Sequence, residues 1–139
     1  MANLPTRPIK VILVDDQKIF RRRLRQLVEL AGWIVIAEAG DISTAECLVQ
    51  SRHPDIALVD VYLPGVNGFE GTMHLKALDE SLKIYLISAY ANLSDQFETL
   101  AKAARAEAFV SKEDLDLELI RSWSEAFWMD CSTQMEENS

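Results

Sequence analysis

Short apolar runs and amphipathic stretches alternate along the chain. Val11-Ile12-Leu13-Val14 reads as a strand, and over residues 17–31 the apolar positions Phe20, Leu24, Leu27, Val28 and Ala31 recur at helical spacing until Gly32 stops the helix. A second strand covers 33–39. Ser43-Thr44-Ala45-Glu46 has the form of a capping box and opens a short helix that Pro54 ends. Ile56-Ala57-Leu58-Val59-Asp60 is the third strand, with a helix over 67–78 after it. Lys83-Ile84-Tyr85-Leu86-Ile87, closing at Ser88, is the fourth. A helix over 94–104 places Phe97, Leu100, Ala101 and Ala104 on one face, Ala108-Phe109-Val110 is the fifth strand, and a last helix covers 115–129. Strands that are apolar throughout, separated by helices, predict an α/β fold with a parallel sheet covered on both faces.

At 139 residues, 49% hydrophobic and 26% charged, the chain has one core's worth of sequence. The expected organisation is an N-terminal extension (1–8), one domain (9–129) and a polar, disordered tail (130–139). No apolar run is long enough to span a bilayer and no signal core opens the chain, so a cytoplasmic protein without membrane contact is expected. A net charge of −8 argues against direct nucleic-acid binding. Lys18, Arg21, Arg22, Arg23 and Arg25 lie mostly opposite the apolar stripe of the first helix and read as a solvated face, with a docking surface for an acidic partner as the alternative. Cys47 and Cys131 have no metal-ligand spacing, and Cys47 reads as a small buried hydrophobe within a helix.

Ligands of a parallel sheet bind beyond the carboxyl ends of its strands. Here the first strand ends in Asp15-Asp16, the third in Asp60 and the fourth in Ser88, while the fifth runs into Lys112 and Glu38 lies near the close of the second. Singly, each is what a cap, a turn or a solvated loop supplies. Together, three carboxylates, a hydroxyl and an ammonium converge on one end of one sheet. Clustered carboxylates stay ionised only around a cation, and an all-oxygen set with room for water suits Mg²⁺. A carboxylate beside Mg²⁺ can attack a phosphoryl group while a lysine neutralises its oxygens and a hydroxyl donates to it. Asp60 is the expected nucleophile, Lys112 the point charge and Ser88 the donor.

Val14-Asp15-Asp16, Pro54 to Asp60, Leu63-Pro64-Gly65 with Gly68, Ser88-Ala89 and Phe109-Val110-Ser111-Lys112 resemble the motifs of response-regulator receiver domains, over roughly residues 9–129. The resemblance implies a flavodoxin-like, doubly wound, five-stranded sheet of order 2-1-3-4-5 with five helices. It makes Asp60 the phosphoacceptor and gives Mg²⁺ to Asp15, Asp16, Asp60 and the backbone carbonyl of Tyr62. Ser88 and Lys112 would contact the phosphoryl group, and Ser88 with Phe109 would form the switch. The implied donor is a histidine kinase or phosphotransfer protein, and the chain would be no enzyme beyond its own phosphorylation and slow autodephosphorylation.

The sequence departs from the family pattern in three places. Glu113 follows the lysine where proline is frequent, so that turn is expected trans, and Ser-Lys-Glu-Asp-Leu is more like receivers of LuxR-type regulators. Arg105-Ala106 replaces a frequent Gly-Ala pair, and Phe109 lacks the hydroxyl of a tyrosine. Tyr62 and Tyr90 should flank the site's mouth and either hinder a hydrolytic water or simply cover apolar surface. On the last helix Leu115, Leu119, Ile120, Trp123 and Phe127 form the core stripe. Trp128, off that stripe, is a candidate anchor for a homodimer or downstream partner unless it folds back. No helix-turn-helix pattern follows Met129, so the chain is expected to act through a partner or as a piece of a larger regulator. The competing readings are a flavodoxin-like interaction module that is not phosphorylated, and an aspartate-nucleophile phosphatase, for which Tyr62 stands where a general acid is needed.

Overall fold

The computed structural model describes residues 7–89 and 94–137. Five parallel strands, β1 (Lys10–Val14), β2 (Ile34–Ala39), β3 (Ile56–Asp60), β4 (Lys83–Ser88) and β5 (Ala108–Ser111), pair in the order β2-β1-β3-β4-β5. Helices α1 (Lys18–Leu30), α2 (Ile42–Arg52), α3 (Gly68–Leu78), α4 (Ser94–Ala103) and α5 (Leu117–Glu137) connect and follow them. This is the flavodoxin-like order that the motifs imply.

Strand alternation divides the core in two. Ile12, Val14, Ala57, Val59, Ile84 and Leu86 point to the side of α2, α3 and α4, where Ile42, Val49, Leu75 and Phe97 meet them. Val11, Leu13, Ile56, Leu58, Tyr85 and Ile87 point to the other side, against Leu24 and Val28 of α1 and Ile120, Trp123 and Phe127 of α5. Both sets are buried, which is why β1, β3 and β4 read as continuous apolar runs. Each fully buried Leu or Ile contributes about 1.5–3 kcal/mol.

Several local expectations are corrected. Asp41, not Ser43, caps α2: its carboxylate accepts from Thr44 N at 2.8 Å, and starting two residues early buries Ile42. Cys47 is exposed on α2, because Ala45 and Val49 take the inward positions. On α4, Phe97, Ala101 and Ala104 are buried, but Leu100 is 47% exposed at the edge of that arc. The last helix runs to Glu137 rather than ending at Met129; nothing between them is Gly or Pro, so helix propagates without an apolar face. Trp128 is half-buried, edge-on to Phe127 with ring centroids 5.0 Å apart and under the guanidinium of Arg7, so it does fold back.

The loop before β5 resolves the Arg105-Ala106 departure. Arg105 N donates to Lys102 O and Ala106 N to Ala101 O, each at 3.0 Å, while Arg105 has φ +67°. This is a Schellman end with arginine in the left-handed position that glycine favours. No cis peptide occurs among the described residues, in line with the trans turn expected at Lys112-Glu113.

Candidate functional site

Asp15 continues β1 by donating its N–H to Ala39 O at 2.9 Å, and its Oδ1 accepts from Gln17 N at 2.7 Å, which turns the chain into α1. Arg21, one turn further on, donates from Nη1 to Asp15 O at 2.6 Å and from Nε to Glu38 Oε1 at 2.7 Å. Arg25 donates from Nη2 to Glu38 Oε2 at 2.6 Å. Two of the five basic side chains of α1 thus belong to a partly exposed ion-pair network behind the site. Glu38 is consumed there and lies outside the carboxylate cluster.

Asp60 closes β3 and is 5% exposed. Its Oδ1 accepts from Tyr62 N at 3.0 Å, and Val61 N continues the sheet to Ile87 O at 2.9 Å. The chain then returns, and Gly68 N donates to Val61 O at 2.8 Å. A Cβ on Gly68 would run into the carbonyl oxygen of Asp60, so only glycine lets α3 start this close to β3.

Lys112 follows β5 and opens a single 3-10 turn (Lys112–Asp114), held by Glu113 N donating to Ser111 Oγ at 3.2 Å. Its Nζ lies 2.9 Å from Asp15 Oδ2, 3.3 Å from Asp60 Oδ2 and 3.2 Å from Gln17 Oε1. It also lies 4.0 Å from the centroid of the Phe20 ring. Asp15, Asp16 and Asp60 each bring a carboxylate oxygen within 4.8 Å of the others. Burial, and then the charge of Asp15, push the Asp60 carboxyl up to about 6; the N–H of Tyr62 and the ammonium of Lys112 act against that rise. One ammonium therefore does not balance the cluster, and three oxygen donors short of positive charge fit a hard divalent cation.

A cavity of about 370 Å³ opens over the cluster, lined by Asp16, Gln17, Asp60, Tyr62, Ala89 and Lys112. Tyr62, 47% exposed, stands at this mouth with its ring 6.0 Å from that of Phe97. Ser88 is fully buried at the end of β4, opposite Ser111 of β5. Phe109 of β5 is half-buried and packs edge-on against Phe97 of α4 at 5.3 Å. Tyr90 lies outside the described residues. A larger apolar cavity, about 500 Å³, sits at the opposite end of the sheet between Trp33 and Trp128 and holds none of the clustered carboxylates.

Sequence reasoning missed Gln17, Phe20 and Arg21. Phe20 and Arg21 were legible only as positions on a helix stripe, and the motif stopped one residue short of Gln17. All three stand at the start of α1, which begins just after Asp15.

The family model for the response regulator receiver domain matches residues 11–122. A cyclic di-GMP phosphodiesterase from Thermotoga maritima is 36% identical over 114 residues, 80% of this chain and 28% of that protein. The DNA-binding transcriptional activator DevR/DosR from Mycobacterium tuberculosis is 34% identical over 115 residues, 82% of this chain and 52% of that protein. The chain thus spans about half or less of the length of these two curated relatives. The solved receiver domain of the putative response regulator NarL from M. tuberculosis superposes with a TM-score of 0.76 at 26% identity, covering 91% of this chain and 98% of that one. With its fold, its strand-end acidic cluster and most of its length accounted for by one family, the chain is a response regulator receiver domain of two-component signalling.

Proposed function

We propose that the chain is the phosphoacceptor of a two-component phosphorelay, taking a phosphoryl group from the phosphohistidine of a histidine kinase or phosphotransfer protein onto Asp60. The observation that carries this reading is the Asp60 carboxylate, buried at a strand end, with two further carboxylates beside it and Lys112 at 3.3 Å. One Asp60 oxygen forms the new O–P bond as the donor's N–P bond breaks, and the electron pair of that bond stays with the imidazole nitrogen. Asp15, Asp16, Asp60 and the backbone carbonyl of Tyr62 would hold Mg²⁺, which when bound offsets the charge of the phosphoryl oxygens. Lys112 then exchanges its carboxylate partners for a phosphoryl oxygen, and the Ser88 hydroxyl donates to another. Outside its own phosphorylation and slow autodephosphorylation the chain catalyses nothing.

Strand parity supports the proposed switch. Ser88 and Phe109 fall on the α4 side of the sheet, so movement of Ser88 toward the phosphoryl group frees space that Phe109 and Phe97 repack to fill. The surface of α4, β5 and α5 changes for a downstream protein or a second copy of the chain. No direct contact with nucleic acid or membrane is included: the net charge is −8, and among the described residues no helix is long and apolar enough to cross a membrane. The reaction belongs in the cytoplasm, where such donors carry their phosphohistidine.

Intact-mass measurement after incubation with Mg²⁺ and a small acyl phosphate tests the proposal. One phosphate adduct, lost in Asp60→Asn, is expected; no adduct, or one that survives that substitution, refutes it and leaves a non-phosphorylated interaction module. Tyr62 stands at the mouth of the cavity, and with Tyr90 it is expected to hinder a hydrolytic water: the Tyr62→Ala, Tyr90→Ala double variant should lose phosphate faster than the parent, and an equal rate means that the two rings only cover apolar surface.

A further inference from the structure

Among the described residues Lys112 is the only ammonium at the site, and both of its carboxylate contacts must change when a phosphoryl group arrives. Its contacts to Asp15 Oδ2, Asp60 Oδ2 and Gln17 Oε1 are directional, each needing one N–H aimed at one oxygen. Asp15 and Asp60 are also the carboxylates that a metal would engage, so they cannot keep the ammonium as it is. The fourth neighbour is of another kind. The Phe20 ring lies 4.0 Å from Nζ, ring face to cation, and an aromatic face attracts a cation whichever way its N–H bonds point. Phe20 itself is fixed, half-buried against the α1–α5 side of the core. Lys112 is largely buried, so the attraction works with little screening by water.

We infer that Phe20 is a positioning residue for phosphoryl transfer: its ring holds the Lys112 ammonium over the cluster while the ammonium exchanges carboxylate for phosphoryl oxygens. The inference rests on the reading of Asp60 as phosphoacceptor. Gln17, on the same turn, is the hydrogen-bonding half of this cradle, and α1 supplies both. Strand parity explains the arrangement, because Asp15 and Asp60 continue the Val11-Leu13 and Ile56-Leu58 alternation that faces α1.

The test keeps the shape of the ring and changes its charge distribution. Phenylalanines carrying one, two and three fluorines replace Phe20 in the full chain, and the rate of Asp60 phosphorylation by a small acyl phosphate with Mg²⁺ is followed by mass. The rate constant is expected to fall stepwise with fluorine number, by roughly tenfold over the series, and Phe20→Tyr is expected to keep the parent rate. In a Lys112→Ala background the same fluorine series should have no effect. Equal rates across the series, or the same decline without Lys112, overturns the positioning role while leaving Asp60 as acceptor. A parent chain that takes up no phosphate overturns the acceptor reading, and the inference with it.

Discussion

Asp60 carries the costliest charge among the residues of the site. Its carboxyl is raised to about 6 from 3.8, so the folded protein binds a proton between those values that the unfolded chain has lost, and stability falls as pH rises through that window. Above pH 6 the loss levels off at about 3 kcal/mol. In metal-free buffer, urea denaturation of Asp60→Asn at pH 7.5 should therefore show a more stable protein than the parent, with the gain shrinking to nothing near pH 4. A gain that is flat across that range would place the cost elsewhere. The same proton competes with a cation, so Mg²⁺ affinity should weaken by about tenfold per pH unit below 6. Arg105 is a smaller burden of another kind. Its φ of +67° costs about 1–2 kcal/mol in a residue with a Cβ, and its side chain is exposed. Arg105→Gly recovers that strain less the extra entropy of glycine, and should raise stability by about 0.5–1 kcal/mol in the same denaturation experiment.

At the scale of elements, α2 and α3 meet in a close-fitting contact. A Cβ on Gly71 of α3 would overlap the side chain of Ile42 at the start of α2, so Gly71→Ala should destabilise by about 1–3 kcal/mol. Pairing it with Ile42→Ala should show strong coupling rather than additive losses, as measured by a double-mutant cycle. The same contact explains what the sequence did and did not disclose. Strand and helix order followed from apolar runs and helical spacing, because burial on both faces of a parallel sheet leaves few other patterns. Helix boundaries did not: whether Asp41 or Ser43 caps α2 is decided by the pocket that Ile42 fills against Gly71, a contact between elements. Leu100 was misplaced because it sits at the edge of its helix's buried arc, where spacing alone does not separate inside from outside, and Cys47 because residue type was weighed above position: it lies opposite Ile42, Ala45 and Val49. At the site, Asp15, Asp16, Asp60 and Lys112 were legible because strand ends converge by topology. Phe20 and Gln17 were not, since a phenylalanine on an apolar stripe looks the same whether or not a cation lies over it.

For the molecule as a whole, the acidic end of the sheet is where ligand binding and folding meet. A cation held, as proposed, by Asp15, Asp16 and Asp60 would bind only the folded chain, and at a hundredfold excess over its Kd would add about 2.7 kcal/mol of stability. Thermal unfolding with and without Mg²⁺ should show that gain as a higher Tm, and Asp16→Asn, at an exposed position, should remove most of it. The division of the core by strand parity has a further, optical consequence. Trp33, Trp123 and Trp128, all the indoles of the chain, lie on the α1–α5 side, with Trp33 Nε1 donating to Ser124 Oγ of α5 at 2.6 Å. Tyr62, Phe69, Phe97 and Phe109, which join the site's mouth to α4 and β5, contain none. Intrinsic indole emission is therefore a one-sided gauge of this protein: it reports the seating of α5 and stays silent when only the α4 face rearranges. A tryptophan introduced at Phe97 would give the other face its own signal.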